Sequence, residues 1–516
     1  GTALQLVKQS FIEVSQVSKT EKPVLDDENM LLKKFFEENS MVHDNLVSFN
    51  DFVERELMKI LDENKEIEPT IIPPNVEDFK IKLDSIWVTK PEITEADGSK
   101  RNIFPSEARL RKITYSAPIY MEVSAHINGV QRENFKLQIG NLPIMLKSKF
   151  CHLNGLSREE LIKAGEDPDD PGGYFIINGS EKVLVKIEDL ASNRLMVEKA
   201  ATGISPYVGK IFSERGSYKI PHQFERLKDG VYYMTFTRVK RIPIVLLIKA
   251  LGLIKDEEIM KSIELGEHPE VFVNLFDFVD VKSREDALDL IAKKIGITQS
   301  REVRIQRVEE ILDKYLLPHL GVKEEERLFK AINLCKYFKH YIKVVNGDAP
   351  VTDKDHYGNK RLKLAGDLLG DLFRVNIKVL IGDLLYNFQR IVKRGKIPSI
   401  KVLIREKLLT QRIYSSMATG NWIGNRTGVS QRIARQNFLE LISSLQRVNS
   451  PLSSSQENFE ARALHSTHLG RLCPSETPEG SNIGLRKNLA LLASVSGEVD
   501  EKELIKSLKT MGLETV

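Results

Sequence analysis

Between Arg426 and Lys487 the positive side chains are almost all arginine: Arg426, Arg432, Arg435, Arg447, Arg462, Arg471 and Arg486. A planar guanidinium donates two parallel hydrogen bonds and so grips phosphate, whereas a lysine ammonium acts as a point charge. The competing reading of such a run is a solvated or salt-bridged surface. The loop Cys473-Pro474-Ser475-Glu476-Thr477-Pro478-Glu479-Gly480-Ser481-Asn482-Ile483-Gly484-Leu485 falls within it. Its prolines fix φ and its glycines permit unusual φ, which suits a defined irregular loop able to position functional groups, or a turn packed on the preceding helix. His465, His468 and Cys473 lie close together, but structural zinc wants four ligands in paired short spacings, so structural or hydrogen-bonding roles are expected. No carboxylate cluster suited to metal-assisted phosphoryl transfer is evident, and no G-x-x-x-x-G-K-[ST] phosphate loop is present.

These groups need elements to hold them. Phe438, Leu441, Ile442 and Leu445 recur at i, i+3, i+4 and i+7, which predicts a helix. The polar run Ser453-Ser454-Ser455-Gln456-Glu457-Asn458 after it can neither continue a helix comfortably nor build a core, so an exposed loop is expected. Leu364, Leu368, Leu372 and Phe373 give helical texture from about 361 to 415. Upstream, from Ile71 to Leu190, short strands are expected, with Asn128-Gly129 and Asn178-Gly179 as hairpin turns because both residue types tolerate positive φ. Between about 200 and 365 lies a separate mixed domain, with Asp229-Gly230 ahead of the strand-like Val231–Thr237 and amphipathic helices from 255 to 345. The first 65 residues read as helical, with Leu31, Leu32, Phe35 and Phe36 as a core-facing stripe.

A chain of 516 residues should hold roughly three units. With 29% charged and 41% hydrophobic residues it has enough apolar material to fold and too much charge for a membrane. The longest apolar run, Ile242 to Ile248, is far short of the roughly 20 residues a bilayer demands. Gly1-Thr2-Ala3-Leu4 does not begin a secretory signal, and the missing initiator Met hints at processing. Three scattered cysteines, Cys151, Cys335 and Cys473, suit a reducing cytoplasm. The net charge of +4 cannot establish nucleic-acid binding, so the distribution of charge must. An acidic stretch from Glu159 to Asp170 contrasts with the basic Arg109-Leu110-Arg111-Lys112 and Lys360-Arg361-Leu362-Lys363, runs that are commonly solvated faces.

The stretch from His465 to Leu489 resembles the fork region of the second-largest subunit of cellular RNA polymerases. So do Ala418-Thr419-Gly420-Asn421-Trp422, Arg426-Thr427-Gly428-Val429-Ser430-Gln431 and Leu445-Gln446-Arg447-Val448-Asn449-Ser450-Pro451, in the family's order. Pro105–Arg111, Thr114–Pro118, Gly172–Lys182 and Asp355–Arg361 extend the resemblance over about residues 30 to 490. These motifs are nearer the archaeal and eukaryotic forms than the bacterial form. Ending at Val516, the chain resembles the N-terminal half that many archaea make as a separate protein, the B-double-prime polypeptide of their DNA-directed RNA polymerase, though a fragment of an undivided chain would look alike.

The resemblance implies an α+β, multidomain fold: a protrusion at about 1–200 and 366–425, a lobe at 201–365, and a fork with the start of the following region at 426–516. It places the loop from Ser450 to Arg462 beside downstream DNA. Arg447, Arg462 and Arg471 then make nucleic-acid or internal fork contacts, with Glu479, Gly480 and Asn482 near the RNA. It implies no catalytic residue and no cofactor on this chain, Mg being held by the largest subunit. The implied partners are the other polymerase subunits, including the C-terminal half of the second-largest subunit, with template DNA and nascent RNA. A chain that serves only as an assembly scaffold is the rival reading, since basic patches can also bind acidic protein surfaces.

Overall fold

Asn128 and Gly129 take φ of 51° and 78°, closing a hairpin between strands Ser116–Ile127 and Val130–Pro143. These strands, of 12 and 14 residues, are longer than the short strands expected. Phe79–Val88 and Glu66–Ile67 add to the Ser116 side, giving a four-stranded antiparallel sheet. The structure, a computed structural model, describes residues 25–514, so the expectations for Gly1–Leu4 and for the earliest part of the N-terminal helical region lie outside it.

Helices His43–Asp51, Ala365–Val392 and Glu406–Thr419 pack with this sheet in a first body. Phe52 meets Phe373 edge-on, and the Phe79 ring lies 4.9 Å from that of Phe388, so elements distant in sequence share one core. Gly366 makes that approach possible. A side chain there would overlap the Ser48 carbonyl, and the Gly366 N–H donates to Ser48 Oγ at 2.9 Å.

The stripe on helix Leu25–Glu38 is a correction. Leu31 is 70% exposed, and Leu32 and Phe35 are also exposed, so no core among the described residues covers them. Helical periodicity shows that a face is apolar, not that its cover lies in the same chain.

A second body has its own core. Five strands, Met196–Lys199, Tyr207–Arg215, Tyr218–Arg226, Tyr232–Phe236 and Val239–Pro243, form an antiparallel meander in chain order. Helices between Ile244 and Val345 complete it, the longest being Arg327–Val345. The apolar run is explained here: Ile242 ends the meander and Ile244 to Ile248 are wholly buried in the first helix. The chain enters this body after strand Lys186–Leu190 and returns through Lys360–Lys363. The two strands pair antiparallel, and the Ala191 N–H reaches the Asn359 carbonyl at 2.8 Å.

That pair belongs to a further sheet, in the order Lys360–Lys363, Lys186–Leu190, Arg447–Asn449, Arg486–Asn488. The second and third strands run parallel, the outer pairs antiparallel. Only Tyr357, Val448, Leu472 and Leu489 form its separate apolar cluster. Among the described residues no helix is long and apolar enough to cross a membrane.

Candidate nucleic-acid interface

Helix Phe438–Leu445 forms as its spacing predicts, capped by Asn437, whose Oδ1 accepts from the Glu440 N–H at 2.9 Å. Leu441 and Leu445 face inward while Phe438 stays half exposed. The helix delivers the chain to strand Arg447–Asn449, and the polar run Ser453–Asn458 beyond it is a loop with almost every residue exposed.

Three segments meet beside that strand: Asn425–Gln431, Asn449–Ser454 and Asn482–Arg486. They enclose a polar cleft of about 630 Å³. The first is shaped by Gly420, which ends helix Glu406–Thr419 at φ 78°, where a Cβ would lie 2.7 Å from the Ser430 carbonyl. Ser430 Oγ donates to the Met417 carbonyl at 2.6 Å, and Trp422 Nε1 to the Leu368 carbonyl at 2.8 Å. The third segment is held by Thr477, whose Oγ1 donates to the Arg486 carbonyl at 3.0 Å and accepts from the Gly484 N–H at 2.9 Å.

The seven arginines separate into two groups. Arg426 forms a two-pronged pair with Asp189, at 3.0 and 2.5 Å. Arg435 bonds Asp170 at 2.8 Å, Tyr174 at 3.0 Å and Glu181, with its guanidinium over the Tyr174 ring. Arg462 donates to four carbonyls, those of Ser481 at 2.6 Å, Ile483 at 3.0 Å, Ser454 at 3.1 Å and Gln456 at 3.2 Å. A side chain at Gly484 would overlap the Arg462 backbone, so glycine permits this close staple. These three guanidiniums are held by the protein itself.

The other four have capacity to spare. Arg432 and Arg486 are exposed, with no side-chain partner among the described residues. Arg447 makes one long bond, to Gln431 Oε1 at 3.5 Å, and Arg471 reaches only the Thr467 carbonyl, at 3.1 Å. Arg486 stands directly across from Asn449 in the strand pairing. Asn449 Oδ1 is buried at the cleft wall without a partner, and an unmet buried acceptor ordinarily costs about 1–3 kcal/mol.

Of the residues singled out from the sequence, Asn482 lines the cleft and Arg447 touches its lining residue Gln431. Arg462 staples two of its walls together. Arg471, Glu479 and Gly480 are exposed but do not line it; Glu479 precedes the turn Gly480–Asn482, and Gly480 takes φ 83°. Arg486 stands in the arginine run without an assigned contact, and Gln431 and Asn449 are not singled out. All three stand inside the family motifs, but only strand pairing brings them together.

His465 bonds Asp353 at 2.8 Å and Thr467 at 2.7 Å, while His468 packs edge-on against Tyr357. Burial, with Lys487 nearby, pushes the His468 imidazole down to about 4, so it is neutral near pH 7. Among the described residues no group of three or more His, Cys, Asp or Glu could hold a metal ion. A Mg ion does not fit the side chains described.

Fold and cleft together define a class: a mixed helix-and-sheet chain with two large cores and a polar cleft lined by the unpaired guanidinium of Arg486. The family described as RNA polymerase beta subunit matches residues 40–411, and that described as RNA polymerase Rpb2, domain 3 matches residues 431–495. The chain belongs to the RNA polymerase beta-subunit family. It is similar to the DNA-directed RNA polymerase subunit Rpo2N of Methanocaldococcus jannaschii, 45% identical over 493 residues that make up 94% of this chain and 98% of the relative. Rpo2N of Halobacterium salinarum is 40% identical, with 95% and 97% covered. Rpo2 of Saccharolobus solfataricus is 44% identical over 95% of this chain but only 43% of the relative, so the chain spans less than half the length of that protein.

Proposed function

We propose that the chain serves a DNA-dependent RNA polymerase as the N-terminal half of its second-largest subunit, lining the path of DNA and RNA while partner chains supply the catalytic groups. The observation that carries this reading is the cleft where Arg486, Asn449 and Gln431 meet, with Arg447 behind them and two guanidiniums left unpaired at or beside it. Contacts of this kind go mainly to phosphate and sugar and orient a strand without reading its sequence. In this reading the protrusion, in two parts at 1–200 and 366–425, takes in most of the first body, the lobe at 201–365 most of the second, and 426–516 is the fork and the start of the following region.

Arg447 and Arg471 contact nucleic acid, Arg462 shapes the loop beside it, and Glu479, Gly480 and Asn482 stand near the RNA. Phosphoryl transfer needs metal ions to stabilise charge on the attacking and leaving oxygens. In this reading Mg is held by the largest subunit of a cytoplasmic complex, and the isolated chain extends no primer.

The test is the salt dependence of nucleic-acid binding by the reconstituted enzyme. Each phosphate contact contributes a slope of about −0.9 in log K against log salt for duplex DNA. Arg447→Ala and Arg471→Ala should each make the slope shallower. Unchanged slopes with crosslinks only to protein would favour an assembly scaffold, and primer extension by the purified chain alone would refute the division of labour.

A further inference from the structure

Glu188 is 2% exposed, and both its oxygens are in use. Oε1 accepts from Lys360 Nζ at 2.6 Å and from Lys487 Nζ at 3.0 Å, Lys487 also lies 2.9 Å from Oε2, and Oε2 takes the Tyr357 hydroxyl. The partners arrive from different directions. Tyr357 and Lys360 lie on the segment returning from the second body, and Lys487 comes from the far edge of the sheet, reaching past strand Arg447–Asn449.

The edge strand Arg486–Asn488 is three residues long: it pairs with Arg447–Asn449 on one side, and on the other the Asn488 carbonyl accepts from the Cys473 N–H at 2.9 Å, next to a bridge between Leu472 and Leu489. Thr477 holds its backbone at Arg486 and the Cys473 N–H at Asn488, the apolar cluster beneath it has four members, and Lys487 is the side chain that ties it to the buried carboxylate. Successive side chains of a strand point to opposite faces, so a shift by one residue exchanges the two faces. Lys487 turns inward to Glu188. Arg486, its neighbour, therefore turns the other way, toward the cleft and the facing Asn449.

We propose that Glu188 is a positioning residue for the cleft: by anchoring Lys487 on the buried face it sets the edge strand so that Arg486 presents its guanidinium beside Asn449. This rests on the reading of the cleft as a nucleic-acid path. Burial alone would raise the Glu188 carboxyl, but Lys487, Lys360 and the Tyr357 hydroxyl outweigh it and leave the group ionised, below its ordinary range. Glutamine keeps one acceptor oxygen, but its amide nitrogen cannot accept in place of the second, and the two ammonium groups lose their counter-charge.

The test compares Arg486→Ala, Glu188→Gln, Lys487→Met and the double variant Glu188→Gln/Arg486→Ala in the reconstituted enzyme on a DNA–RNA scaffold. Lys487→Met keeps Lys360 as counter-charge and guards against a Glu188→Gln chain that fails to fold. The expected result is a binding slope shallower by about 0.9 for each single variant, roughly an eightfold smaller loss of affinity per tenfold rise in salt. The double variant should be no shallower than Arg486→Ala. Parental slopes in Glu188→Gln and Lys487→Met, with Arg486→Ala altered, overturn the positioning role. An unaltered slope in Arg486→Ala instead fails the cleft reading. Positioning is then decided by amide exchange at 486–489 in Lys487→Met: faster exchange supports it, and unchanged exchange overturns it.

Discussion

In the first body Phe49, Phe52, Phe373 and Phe388 belong to one continuous apolar core. In the segment from Arg447 to Leu489 the apolar cluster is Val448, Leu472 and Leu489 with Tyr357. There the shape is held by Arg462 on four carbonyls, Thr477 across its loop, Asn488 on the Ser443 carbonyl and Lys487 on Glu188. Apolar packing is non-directional and distributes a loss over many neighbours, whereas a hydrogen bond fixes direction at one atom. A region that must aim guanidinium groups gains from the second device, and a region that must stay folded beneath it gains from the first.

The comparison breaks most readily in the core. Phe373→Ala should cost about 3–5 kcal/mol of folding stability in denaturant titration of the chain, because the site between Phe52 and helix Ala365–Val392 cannot fully collapse. A loss below about 1 kcal/mol would show that this core does not dominate.

Acid should strike the second body next. Burial pushes His222 down to about 4, while its Nε2 accepts from the Leu317 N–H at 3.0 Å and its Nδ1 donates to the Ile220 carbonyl. Unfolded histidine titrates near 6.5, so between about 6.5 and 4 the unfolded chain binds the extra proton and stability falls as pH falls. The expected loss is on the order of 3 kcal/mol across that window. It should vanish from the profile of His222→Asn measured against the parent.

The segment from Arg447 to Leu489 responds locally. Arg462→Ala should cost about 1–3 kcal/mol in its own loop and accelerate amide exchange at 453–456 and 481–484, with the main unfolding midpoint nearly unmoved. A large shift in that midpoint would mean that this segment and the first body unfold as one. Smallest of all is Arg486→Ala, which should change stability by less than about 0.5 kcal/mol while altering salt-dependent nucleic-acid binding. A stability loss well above that would place Arg486 among the structural arginines.

The local grammar of the chain was legible without coordinates. Asn128-Gly129 and Asn178-Gly179 close hairpins because both positions need positive φ, and helix Phe438–Leu445 follows its apolar spacing. The family was legible too, through long motifs in fixed order. What the helical stripe could not reveal was that Leu31, Leu32 and Phe35 lack a cover among the described residues.

The sequence by itself determined which residues could grip an anion, where the turns and helices fall, and the family to which they belong. Only the tertiary structure decided which arginines are free. Arg426 is taken up by Asp189, 237 residues away, and Lys487 by Glu188, 299 residues away. A guanidinium carries the same charge whether it faces an aspartate or solvent. Its availability depends on long-range pairing, which no local pattern of residues records.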